Sequence, residues 1–199
     1  MERRIEGVLS FPSLLRPTTT ESILVQDQEL LIPKVELTLR SWTGATILNT
    51  FGGKPLLDFG GRPVFAELCA YELARLSGWE ARWVETYGAA AMRPNCFTAW
   101  ADAPLGGQEH VPISDDGILS LLQRMAAANG NTYAGYWGAV AWQGNPVVFM
   151  ELKRRKQDRL RASQLGWVGA GIKLRKPSVG AVRESMSAFP SDAKFTGLR

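Results

Sequence analysis

The chain has 199 residues, of which 45% are apolar and 21% charged, with a formal net charge of +4, 2 cysteines and 1 histidine. That length suits one domain with a full core, and the composition is ordinary for a soluble globular protein. Two cysteines give no disulfide framework and no zinc spacing, and with a lone His110 zinc sites and histidine-dependent triads lose most of their support. No apolar run approaches the length of a membrane span, and the start MERRIEG is followed by no apolar signal core, so a cytoplasmic location is expected.

Residues 1–62 read as a β-rich segment, with apolar alternation over residues 34–40 and turn signals at Gly52-Gly53 and Gly60-Gly61. An arm, an oligomer contact and an extra sheet layer are all compatible with that pattern. Pro63 suits the start of a helix over 63–77, which Gly78 would end. Its stripe of Phe65, Leu68, Cys69, Leu73 and Leu76 leaves Glu67 in the first turn, where a carboxylate also suits the helix dipole. Residues 81–87 alternate as the first strand of a core spanning 63–199. An insertion over about 88–132 follows, rich in Pro and Gly, with one clear helix over 116–128 capped by Asp115 or Ser114. Residues 133–143 read as the second core strand, joined by a hairpin turn at 143–146 to a third.

The third strand opens with four apolar residues, Val147 to Met150, and then turns polar. Side chains alternate across a strand, so Glu151 and Lys153 share a face with about 6 to 7 Å between their Cα atoms. A carboxylate suits a hard cation, and a neighbouring lysine can orient water or stabilise developing negative charge. The basic run Lys153-Arg154-Arg155-Lys156 comes next, with Arg159 and Arg161 close behind. A helix over 160–172 then places Leu160, Gln164, Trp167, Val168 and Gly171 on one face, with Gln164 the polar exception, directed at the strand end. Residues 179–185 supply a last strand. From residue 151 onward there are 12 Lys or Arg against 4 acids, while residues 1–150 hold 11 against 15. A basic C-terminal quarter on a mildly acidic body suggests a polyanionic partner.

The run FMELKRRKQDRLRASQLGW resembles the C-terminal half of a PD-(D/E)xK nuclease core, specifically its VRR-NUC-like branch, in which a strand with Glu-x-Lys precedes a helix with Gln. The similarity extends over about 64–183. It implies an α/β fold with a restriction-endonuclease-like core, a mixed central sheet flanked by helices, preceded here by the β-rich segment. It implies Glu67 and Glu151 as ligands of Mg²⁺ or Mn²⁺, Lys153 as the catalytic lysine and Gln164 as an accessory residue. Arg154, Arg155, Lys156, Arg159 and Arg161 would meet nucleic acid, with DNA the expected partner. The family also carries an Asp on the second strand, and the matching place in GYWGAVAW is Gly138, which offers no ligand atom. Glu85 and Asp102 are the nearest acids that could replace it.

The expected function is therefore a metal-dependent phosphodiesterase acting on DNA, impaired by the loss of one acid. A catalytically inactive DNA-binding relative is the alternative. A protein-interaction module, bound through exposed tryptophans, is a third. Homo-oligomerisation is left open.

Overall fold

The computed structural model describes residues 10–51, 53–86, 93–154 and 158–174, together with the backbone of Glu184–Pro190. The N-terminal part supplies β1 (Thr19–Val25), β2 (Gln28–Lys34), β3 (Arg40–Ser41), β4 (Leu57–Phe59) and β5 (Arg62–Val64). Then follow α1 (Ala66–Leu76), β6 (Glu80–Glu85), β7 (Asn95–Phe97), α2 (Asp116–Ala128), β8 (Ala139–Trp142), β9 (Val147–Lys153), α3 (Ala162–Leu174) and β10 (Glu184–Pro190). The fold is mixed α/β. Its main sheet runs β1-β2-β10-β9-β8-β6-β7, and β3-β4-β5 form a second, smaller sheet.

Every residue of β8, and β9 from Val147 to Glu151, is buried, which requires cover on both faces of the sheet. On one face Ala81, Trp83, Ala139, Ala141, Val148 and Met150 pack with Leu68 and Leu73 of α1. On the other, Val140, Trp142, Val147 and Phe149 pack with Leu121 and Met125 of α2 and with Trp167 and Val168 of α3. β6, β8 and β9 pair antiparallel in succession, and the four residues of the turn at 143–146 join Trp142 to its partner Val147. β10 runs parallel to β9, so the chain must cross over between them, and α3 lies in that connection.

Several boundaries differ from those the sequence suggests, each for a local reason. Pro63 belongs to β5 rather than to the start of a helix, because Gly60 and Gly61 at φ 62° and 78° turn β4 directly back on β5. Pro63 faces Asp58 one pair beyond the closing pair of that hairpin, where a missing N–H costs no ladder bond. The alternation over 34–40 is not a strand: β2 ends at Lys34, and Val35 and Leu37 drop individually into the core beside α1. The second core strand shortens to β8 because Gly135, at φ 80°, turns the preceding chain against α3. The helix over 116–128 is found with its cap, Asp115 Oδ1 accepting from the Ile118 N–H at 2.9 Å. The last strand is Glu184–Pro190, later than the 179–185 expected, and residues 179–183 lie outside the described residues.

The first 62 residues add to the sheet rather than standing apart from it. β1 and β2 turn at Gln26-Asp27, bury Ile23, Val25 and Ile32 beside α3, and set Lys34 against Ala188 of β10.

Candidate functional site

Four buried apolar residues fix β9, so its polar end is held rigidly. Glu151 is only 7% exposed. Its Oε1 pairs with Lys153 Nζ at 2.7 Å, and its Oε2 accepts the backbone N–H of Gly138 at 3.2 Å. Gln164, the third residue of α3, accepts the Arg161 N–H on Oε1 at 2.9 Å, the reciprocal half of a capping box. The same side chain is close enough to Glu151 to favour its charged form, so the helix start and the strand end meet at this amide. Burial pushes the Glu151 carboxyl above its usual range, and Lys153, Gln164 and the Gly138 N–H counter that rise only in part.

A second cluster approaches Gly138 from α1. Glu67, in the first turn of α1, and Glu85, at the end of β6, both pair with Lys54, whose Nζ lies 3.0 Å from Glu67 Oε1 and 2.9 Å from Glu85 Oε2. The ammonium also lies 5.5 Å from the centre of the buried Trp83 ring. Burial works to lower the Lys54 pKa, but the two carboxylates outweigh it and the net shift is upward. Glu67 lies so close over Gly138 that a β-carbon there would stand 2.8 Å from Glu67 Cγ.

Strand alternation explains why the two clusters stay distinct. Glu151 continues the face of Val147 and Phe149, which packs with α3, whereas Glu85 continues the face of Ala81 and Trp83, which packs with α1. Gly138, just before β8, touches both clusters and contributes no side-chain oxygen. Among the described residues no group of three or more His, Cys, Asp or Glu is placed to hold a metal ion. Mg²⁺ depends on a few well-placed oxygens in near-octahedral geometry. The residues present do not fit it as they stand, since Glu67 and Glu85 are paired with Lys54 and both oxygens of Glu151 are engaged, one by Lys153 and one by the Gly138 N–H.

Glu151, Lys153 and Gln164 are thus brought together, and Glu67 reaches the same place through Gly138. Protein-family models, curated proteins and solved structures offer no match to this chain. Asp102 lies apart from the site: it is exposed and accepts the backbone N–H groups of Leu48 and Asn49 at 3.1 and 2.8 Å. Arg154 is engaged by Asp158, at 3.0 Å from its Nε and 3.1 Å from its Nη2, while Arg159 and Arg161 are exposed. Arg155 and Lys156 lie outside the described residues. His110 is an exposed loop residue whose Nδ1 accepts the Cys96 N–H at 2.9 Å. A cavity of about 70 Å³ lined by Cys96, His110, Ile113, Leu122 and Tyr133 includes none of the site residues.

Lys54 is the member that sequence reasoning missed. It follows a Gly-Gly turn signal, and nothing in the spacing of a loop lysine shows that it will meet acids from α1 and β6. The one usable hint is Phe51, an aromatic residue before the glycines that can anchor the loop in a core.

Proposed function

We propose that this chain binds nucleic acid, with DNA as the expected form, through a core of the PD-(D/E)xK nuclease type. The order α1, β6, β8, β9, α3, β10, with β6, β8, β9 and β10 adjacent in the sheet, supports that reading of the fold. The observation that carries the proposal is the junction of β9 and α3. There the Glu151–Lys153 pair meets Gln164 at the start of α3, next in the chain to the exposed Arg159 and Arg161, at the head of a C-terminal quarter with 12 basic residues against 4 acids. Cationic side chains beside the N-terminus of α3 favour a phosphate backbone as ligand.

Binding is preferred to cutting because the carboxylates are not arranged for a divalent ion. Metal-dependent hydrolysis is the second reading, favoured by the intact Glu151, Lys153 and Gln164 set. A protein-interaction module has less support, since none of the 7 tryptophans is exposed.

The test is a panel of single-stranded, duplex and branched DNA and RNA, assayed for binding at low salt and for cleavage with Mg²⁺, Mn²⁺ or chelator. Binding without cleavage is the expected result. Cleavage that chelator abolishes would transfer the proposal to the hydrolytic reading, and absence of binding at low salt would overturn both.

A further inference from the structure

The loop before β4 is built to hold one ammonium group in place. Phe51, in the left-handed region at φ 45°, packs against Phe65, Trp83 and Trp100 with ring centres 5.5, 5.7 and 6.4 Å away. Asp102 fixes the backbone at Leu48 and Asn49, and the Lys54 N–H donates to the Thr50 carbonyl at 2.9 Å. The loop is therefore tied down before and at Lys54. Its side chain, 30% exposed, meets Glu67 and Glu85 at 18% and 16% exposure. Two largely buried carboxylates this close to one point need a cation between them.

We propose that Lys54 is the resident cation of this site, its ammonium standing between Glu67 and Glu85 where a divalent ion would otherwise be shared, so that the native chain excludes metal from this acid pair. A divalent ion bound by one or two carboxylates completes its shell with water, and Glu67 and Glu85 would supply such a pair once Lys54 was gone. To enter the native site it must break both ion pairs and displace a charge tethered by its own chain. Gly138 belongs to the same arrangement. Glu67, drawn to Lys54, covers the Gly138 Cα, so a side chain at that position and this pose of Glu67 exclude each other. This inference does not depend on the nucleic-acid reading, and it is tested with no nucleic acid present.

The experiment is titration of the intact chain with Mn²⁺, followed by electron paramagnetic resonance of the free ion and by calorimetry. Lys54→Gln should tighten Mn²⁺ binding on the order of tenfold or more, since it frees two carboxylates from a competing charge. Adding Glu67→Gln to that variant should remove the gain, and Lys54→Arg should behave as the native chain. Lys54→Met serves as a second neutral replacement if the glutamine variant does not fold. In the native chain Glu67→Gln should leave Mn²⁺ affinity unchanged, a measurement that needs no Lys54 variant. The proposal is overturned if that substitution weakens Mn²⁺ binding, or if a folded neutral variant at Lys54 binds Mn²⁺ no better than the native chain.

Discussion

Gly138 and Glu67 are packed so that a side chain at 138 requires Glu67 to move: a β-carbon on Gly138 would lie 2.8 Å from Glu67 Cγ and 3.7 Å from its Oε1. The glutamate thus fills the space that a side chain at 138 would need. Gly138→Ala should cost about 1–3 kcal/mol, the range for forcing an extra methyl into a packed position. In a Glu67→Ala background the same change should be neutral or stabilising by about 0.4–1 kcal/mol, because an ordinary backbone angle then gains from a stiffer unfolded chain. Urea unfolding of the four proteins of this cycle measures the coupling. Equal costs in both backgrounds would mean that Glu67 turns aside freely.

Gly135 presents a harder constraint. Its φ is 80°, and an added β-carbon would stand 1.9 Å from the Ser163 carbonyl oxygen, a backbone atom in the first turn of α3. Gly135→Ala should destabilise by more than about 2 kcal/mol, from the left-handed conformation and the clash together. It should also loosen the start of α3, seen as faster amide exchange at Leu165 and Gly166. A melting temperature equal to that of the native chain would show that the loop and helix separate cheaply.

The legible parts of the chain were those determined by short-range chemistry. α2 and its Asp115 cap, the hairpin from β8 to β9, and the inward Gln164 all follow from spacing within a few residues. Their outcomes depend on local pairing and on one apolar face. The helix expected from Pro63 was displaced because pairing of β5 with β4 through Gly60-Gly61 outweighs the preference of one proline. The pairing of Glu67 and Glu85 with Lys54 was not legible, since it joins residues 13 and 31 positions apart through a loop. Periodicity carries no information about such contacts.

The environment of Glu151 makes stability depend on pH. Burial raises its folded-state pKa, with Lys153, Gln164 and the Gly138 N–H pulling the other way. The folded chain therefore holds this proton more tightly than the unfolded chain, whose glutamate titrates at about 4.3. Folding gains most from this group where both states are protonated. That gain falls as pH rises from about 4.3 through the raised value, and is constant above it. Relative to Glu151→Gln, the native chain should thus lose stability as pH rises from about 4.3 through the raised value. Paired urea midpoints across that interval decide it. A native chain that gains on the variant as pH rises would mean that the Lys153 pair outweighs burial.

Salt dependence is the most direct probe of the basic junction. Each phosphate neutralised on duplex DNA contributes about 0.9 to the slope of log affinity against log salt. Arg159 and Arg161 are exposed, whereas Arg154 is held by Asp158, whose carboxyl it keeps below the usual range. Replacing Arg159 and Arg161 together with Ala should therefore flatten the slope by up to about 1.8. Arg154→Ala alone should change it less, because breaking its pair with Asp158 leaves a negative charge and removes a cation already committed. Extending Arg154→Ala to Arg155 and Lys156 should flatten it further. Arg124→Ala, exposed on α2, serves as the control and should leave the slope unchanged. Fluorescence anisotropy with a labelled duplex over a salt series gives all of these slopes. If Arg124→Ala flattens the slope by half as much as the Arg159 and Arg161 pair or more, binding is a diffuse response to net charge and the junction of β9 and α3 has no special part in it.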